Sequence, residues 1–332
     1  MTAVGTALDG LLELAVVPSF SAIGPRVRRR LFGWEDPEPG SLAGRTALVT
    51  GPTGGLGRAA VHELASLGAR VVLVGRDANR LEALQAELSA ERNLAAAGGG
   101  SAYPIHVADM SDAASVATAV QAIAASEAVI DIVVDNAGMI HPARTAAPGG
   151  TEASMALMVV GPFVLISGLL PLLRRSPDAR VIAVTSGGMY AQGLDVDDLD
   201  GQAVPYSGPR FYARAKRAQV AIIREWARRL RGSSVAFVAM HPGWARTPGL
   251  SASLPAFERS MGPILRTPEE GVDTIIWLAS CQRASIESGR LYLDRRPRPF
   301  DRLPGTAVAA SERRRLWAEV VRRGGVADPA PG

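Results

Sequence analysis

Thr46-Ala-Leu-Val-Thr50-Gly51-Pro-Thr53-Gly-Gly55-Leu56-Gly57 carries a short apolar run straight into a glycine-rich turn. From Leu56 to Leu67 apolar residues recur at helical spacing, and Gly68 ends the run. Strand, tight turn and helix in that order are the setting a dinucleotide fingerprint needs. Gly51 allows the tight turn, Gly55 lets backbone approach a phosphate, and Gly57 permits close packing of helix on strand. Amides at the helix N-terminus then favour an anion such as a pyrophosphate. A glycine-rich loop without a ligand is the plainer alternative, so the rest of the chain has to decide.

Working outward, the same alternation continues. Val71 to Val74 is the next strand, and Arg80 to Glu91 an amphipathic helix ended by the loose Ala95 to Gly100 stretch. Tyr103 to Val107, Ala113 to Ala125, Ile130 to Val134, Val181 to Val184, the helix Pro209 to Arg231 and the strand Val235 to Met240 follow. A last helix, Pro268 to Ser280, precedes a strand at Arg290 to Leu293. β-Branched runs separated by helical patterns predict an α/β fold: a doubly wound sheet of about seven parallel strands in a single domain. That domain is expected over residues 42–296, with an N-terminal extension, 1–41, and an Arg/Pro/Ala-rich tail, 297–332.

The composition excludes several classes. Of 332 residues, 47% are hydrophobic and 20% charged, which is ample material for a core. The net charge is only +4, and arginines gather at 26–30, 224–231 and 313–323 without aromatics interleaved in a stacking pattern. Solvated helix faces are expected, and nucleic-acid binding is not. The single cysteine, Cys281, lies among apolar residues and permits no intrachain disulfide. His62, His106, His141 and His241 show no paired spacing, so no metal site is expected; His62 reads as a surface residue and His241 as a structural one.

Ser154 to Leu173 carries no charge and is long enough to span a bilayer. Gly161, Pro162, Pro171 and its place between two strands point instead to a helix buried against the sheet or a partner subunit. A homodimer or homotetramer is therefore expected, with this helix and Pro209 to Arg231 at the contact. Residues 1 to 30 are expected to form an amphipathic helix with Leu8, Leu11, Leu12 and Ala15 on one face. Docking of that face onto the domain is favoured over peripheral contact with a membrane. Asp9 and Glu13 interrupt the apolar run, so no secretory signal is read, and a cytoplasmic location is expected.

Chemistry is carried by Tyr212 and Lys216, four residues apart and so on one helix face. A tyrosine is a poor acid or base near neutrality, and a neighbouring ammonium favours its phenolate. The second strand ends in Gly75-Arg76 where an NAD site usually places an acid, so NADP(H) is favoured over NAD(H), with Arg76 on the 2′-phosphate and Arg58 assisting. Asp77, one residue on, is the counter-indication.

With Thr50 to Gly57, Asn136-Ala137-Gly138, Ser186 and Tyr-x-x-x-Lys in this order, the chain resembles a classical short-chain dehydrogenase/reductase over about residues 43 to 295. Thr-Ser-Gly-Gly-Met-Tyr, Lys-Arg-Ala-Gln-Val and Met-His-Pro-Gly-Trp are similar to the subgroup around dehydrogenase/reductase SDR family member twelve. The resemblance implies a Rossmann fold and catalysis by Ser186, Tyr212 and Lys216. It implies cofactor contacts from Gly51, Thr53, Gly55, Leu56 and Gly57 in the turn, and from Asp109 on the adenine side. Asn136, Ala137 and Gly138, Tyr212 and Lys216, and Pro242, Gly243 and Thr247 complete the set, with Thr247 at the carboxamide or phosphates. The implied substrate is a small lipophilic ketone, aldehyde or alcohol, with Trp244 as a candidate apolar wall.

One position departs. Where the family carries an asparagine that extends the proton relay behind the lysine, this chain has Met158, a weak acceptor that cannot donate. Asp135 also replaces the usual residue before Asn136. Two readings stay open: an NADP(H)-dependent oxidoreductase, and an NADP-binding protein with weak or no catalysis.

Overall fold

The β-branched runs assemble into one sheet in the computed structural model, which describes residues 3–93 and 103–330. The Ala95 to Gly100 stretch lies outside the described residues. The strands are β1 (Thr46–Thr50), β2 (Arg70–Gly75), β3 (Ile105–Val107), β4 (Ile132–Asp135), β5 (Ala179–Val184), β6 (Val235–Met240), β7 (Leu291–Leu293) and β8 (Arg296–Arg298). Their order is β3-β2-β1-β4-β5-β6-β7-β8. β1 to β7 are parallel, and β1, β5 and β6 are buried at every residue, as a sheet covered on both faces requires. The doubly wound architecture is the expected one.

β8 is the addition to the expected seven strands. It returns antiparallel to β7 through the two-residue turn Asp294-Arg295, both with positive φ, 53° and 58°. Two central residues in the left-handed region give the turn whose twist suits a hairpin, and neither is the usual Gly or Asn. Partners hold them there: Arg266 and Arg28 donate to the Asp294 carboxylate, and Arg295 pairs with Asp273 and stacks on Trp34.

The long apolar stretch is a helix with an internal fault. Ala153–Met155 continues through a π-helical turn, Ala156–Val160, into Gly161–Leu173. Pro162 cannot donate to the Met158 carbonyl, and Gly161 N–H bonds back five residues to Ala156. A side chain at Gly161 would lie 1.9 Å from the Met110 carbonyl oxygen, so only glycine lets the helix approach the loop after β3. By length and composition this helix could cross a membrane, yet 78% of its apolar 18-residue window is buried within the chain. Phe163 packs against Trp226 of the Gly208–Arg229 helix, and both meet Trp317 of the C-terminal Ala310–Gly324 helix, at ring distances of 4.9 and 4.7 Å. The face that suggested a subunit contact is thus covered by the chain's own tail.

The N-terminal extension corrects the expectation of one amphipathic helix. It forms three, Ala3–Leu14, Val16–Phe20 and Ile23–Phe32. Pro18 and Pro25 lack the N–H groups that would have bonded Leu14 and Ser21, and the breaks fall at those points. The docking face is also the reverse of the expected one. Leu8 and Leu11 are 46% and 65% exposed, while Asp9, at 3%, points inward. Asp9 accepts from Arg28 (2.7 Å) and Arg298 (2.9 Å), and Arg266 binds Asp294 at 2.6 Å beside them. A buried ionic cluster, not an apolar stripe, fastens the extension to the β7–β8 hairpin.

Candidate active site

The glycine turn has the predicted form. Gly51 (φ 64°) and Gly55 (φ 52°) occupy the left-handed region, and a side chain at Gly57 would lie 2.1 Å from the Gly51 carbonyl oxygen. The helix Gly55–Ser66 opens directly from it. Asn136 braces the turn from β4: its Nδ2 donates to the Thr50 and Gly51 carbonyls at 2.9 and 3.2 Å. Thr50 Oγ1 in turn accepts from Asn136 and Ala137 N–H, both at 3.0 Å.

A cleft of about 670 Å³ runs along the carboxyl ends of the strands. Gly51, Thr53, Gly55, Leu56, Arg76, Asn136, Ala137, Gly138, Ser186, Tyr212, Lys216, Pro242, Gly243 and Thr247 all line it. Residues more than a hundred positions apart are brought together as expected. Gly57 is buried beneath the turn. Asp109 does not line the cleft: its carboxylate accepts from Ser111 N–H (2.8 Å) and Oγ (2.7 Å), and Ala108 and Met110 face the cleft in its place. Arg58 is also turned away, paired with Glu87. Asp77 caps the next helix through Arg80 N–H at 3.1 Å, which engages the carboxylate that counted against Arg76. Arg76 is exposed and has no ion-pair partner among the described residues.

Arg80 was missed. It lines the same cleft, and its guanidinium donates to the Thr53 carbonyl at 2.8 Å. Its position one helical turn after Arg76 was the available signal. Trp244, Leu250, Leu254 and Phe257 give the cleft that holds Ser186 and Tyr212 an apolar wall. Phe20 of the extension, also missed, stands behind this wall. It meets Trp244 at 5.9 Å between rings and leaves no room for a side chain at Gly187.

The Gly208–Arg229 helix carries Tyr212 and Lys216 on one face, anchored to the end of β5 where Thr185 Oγ1 donates to the Lys216 carbonyl at 3.0 Å. Ser186 follows β5 and caps a short turn, its Oγ accepting from Gly188 N–H at 3.2 Å. Burial pushes the Tyr212 phenol up to about 12, partly opposed by a hydrogen bond with Ser186. The expected lowering by Lys216 is not present in this arrangement. The ammonium lies 5.8 Å from the Tyr212 ring centre and donates to the Val184 carbonyl at 2.6 Å. Burial brings Lys216 itself down to about 8, and Asp135 acts against that fall.

His241 is fully buried between the Phe20 and Tyr190 rings, and desolvation drives it down to about 3. It does not line the cleft. His62 lies near Glu87 and Glu91, partly exposed, with Glu87 already paired to Arg58.

A sequence model of the family described as short chain dehydrogenase matches residues 45–256. Dehydrogenase/reductase SDR family member 12 of Bos taurus is 36% identical over 259 residues, covering 78% of this chain and 79% of that protein. Human retinol dehydrogenase 14 is 33% identical over 330 residues, 95% of each chain. Among solved structures, a candidate NAD(P)-dependent gluconate 5-dehydrogenase from Beutenbergia cavernae, with NADP bound, has a TM-score of 0.61 at 27% identity, covering 76% of this chain and 96% of its own. With cleft, turn and likeness agreeing, the chain belongs to the short chain dehydrogenase family, NAD(P)-binding oxidoreductases that interconvert CH–OH and C=O groups.

Proposed function

We propose that this protein is an NADP(H)-dependent oxidoreductase that interconverts a lipophilic ketone or aldehyde with its alcohol through Ser186, Tyr212 and Lys216. The observation that carries the reading is the lining of one cleft. Arg76 and Arg80 stand with the glycine turn, and the apolar Trp244, Leu250, Leu254 and Phe257 share that cleft with Ser186 and Tyr212. The residues fit the cofactor: Gly51, Gly54 and Gly55 line the cleft where the Gly55–Ser66 helix opens, a place for a pyrophosphate against backbone amides, and Arg76 is free for a 2′-phosphate while Asp77 is engaged in capping.

The bound nicotinamide supplies or accepts the hydride. In reduction, Ser186 Oγ hydrogen-bonds the substrate oxygen and stabilises the charge that grows there. Tyr212 gives its phenolic proton to that oxygen, and in oxidation takes it back. Lys216, one helical turn from Tyr212 and lining the same cleft, is the residue that would hold the nicotinamide ribose. The apolar wall selects a lipophilic partner for the reacting carbon, in keeping with the retinol named in one relative.

Cofactor titration followed by a panel of ketones, aldehydes and sterol-like alcohols tests this. NADPH should bind more tightly than NADH, and Arg76→Ala should weaken NADPH binding by about 1.5–3 kcal/mol, the scale of a hydrogen bond to a charged group, with little effect on NADH. Equal losses for both cofactors would make Arg76 structural. Tight NADPH binding with no turnover on any substrate would favour the rival reading, cofactor binding without catalysis. The buried Met158 sulfur beside Gly138 is the observation on which that rival rests.

A further inference from the structure

Lys216 is the only lysine in the chain; the other 35 of the 36 basic Lys and Arg side chains are arginines. It is 2% exposed, and an ammonium taken out of water needs partners for its three donors. One goes to the Val184 carbonyl. Met158 Sδ and Lys216 Nζ both face Gly138, 3.2 and 3.4 Å from where a side-chain carbon there would sit, and a thioether offers an ammonium little. The polar partner comes from elsewhere. Gln219, one turn further along the same helix, presents Oε1 to Nζ at 3.3 Å, and its Nε2 donates to Asp135 Oδ2 at 2.7 Å.

The order of these bonds matters. An ionised carboxylate only accepts, so Asp135 forces the Gln219 amide to turn its NH2 towards β4 and its oxygen towards Lys216. Asp135 is 1% exposed, and its Oδ1 has no hydrogen-bond partner among the described residues. A carboxylate left so poorly satisfied is costly unless a nearby positive charge offsets it, and Lys216 is the charge that acts on it. Burial favours the neutral form of both groups, with the acid raised to about 6 and the lysine lowered to about 8, so each keeps the other ionised near neutrality.

We propose that Gln219 and Asp135 are positioning residues for Lys216, holding its ammonium charged and aimed at the cleft in a chain where Met158 cannot. This rests on the Ser186-Tyr212-Lys216 reading above. It also accounts for two departures at once: Met158 is tolerated because support reaches Lys216 from the other side, and an acid precedes Asn136 because that support ends in a carboxylate.

A single lysine makes the test direct. Protein labelled with 13C-lysine gives one side-chain resonance, whose titration reads Lys216 with or without turnover. In Asp135→Asn the midpoint should fall by about one unit, the scale of losing a nearby opposite charge. The pH limb of kcat that needs charged Lys216 should move down with it. Gln219→Met keeps the volume and removes the bond; kcat should fall about tenfold, the scale of a lost bond to a charged group, with substrate KM unchanged. Met158→Asn should restore kcat in the Gln219→Met background while raising it little in the wild type. A wild type without turnover overturns the proposed function. An active wild type whose Lys216 resonance moves in neither variant, or whose kcat falls equally at every pH along with the melting temperature, overturns this inference alone.

Discussion

Tyr212 and His241 show how burial sets the chemistry of single residues. The phenol is pushed up to about 12, so it holds its proton until a reaction partner takes it. Tyr212→Phe keeps the ring and removes the exchangeable proton; turnover should vanish while NADPH affinity, read by fluorescence titration, stays nearly intact. Lost affinity would show that the ring mainly supports the cofactor. His241 is neutral in the fold, with a value near 3, and takes up a proton once unfolded, near 6.5. The unfolded state therefore binds more protons across that window, and stability falls as pH drops through 6.5. Between pH 7 and pH 5 the wild type should lose about 2 kcal/mol more than His241→Leu, measured by urea denaturation at each pH. Neither ring nitrogen has a hydrogen-bond partner among the described residues, so leucine removes no bond. Identical losses in the two proteins would mean that His241 is already protonated in the fold.

At the scale of elements, the first helix is fastened by its charges. Asp9 sits under Arg28 and Arg298, and Asp294 takes Arg28 and Arg266 from the neighbouring side. Removing one member of a buried pair strands the other, at a cost of about 3 kcal/mol or more. Asp9→Ala should therefore lower the melting temperature clearly, whereas Leu11→Ser on the outward face should change stability by no more than about 0.5 kcal/mol. The reverse ranking would mean that the helix docks by its leucines after all. The extension also reaches the cleft indirectly: the Phe20 carbonyl accepts from Trp244 N–H at 2.7 Å, so the ionic cluster helps to place the apolar wall.

Across the whole molecule, the C-terminal helix covers part of the face that was expected at a subunit contact. Trp317 closes over Phe163 and Trp226, on the two helices proposed from sequence as a subunit contact. Truncation before Ala309 should bare that face and drive association, giving a larger mass by light scattering than the full chain. Equal masses for the two chains would mean that the helix covers nothing adhesive.

Local patterns were legible because they are enforced locally. A strand that must turn tightly against backbone needs Gly51 and Gly57 whatever surrounds it, and two side chains four residues apart share a helix face in any fold. The alternation of β-branched runs with helical periods therefore determined the parallel sheet, the glycine turn and the Tyr212–Lys216 pair. The sites where expectation and structure differ depend on contacts across long stretches of chain. Asp109 and Arg58 lie at the predicted positions, but Ser111 and Glu87 hold their side chains elsewhere. Leucines on the first helix suggested an apolar dock, and it took Arg28 and the hairpin's Arg298, nearly 300 residues on, to turn its Asp9 inward. Gln219 and Asp135 look unrelated in sequence, 84 positions apart. It is the packing of the Gly208–Arg229 helix on β5 and β6 that lets Gln219 reach β4 and joins them to Lys216, because a buried charge takes its partner from whatever the tertiary structure brings within reach.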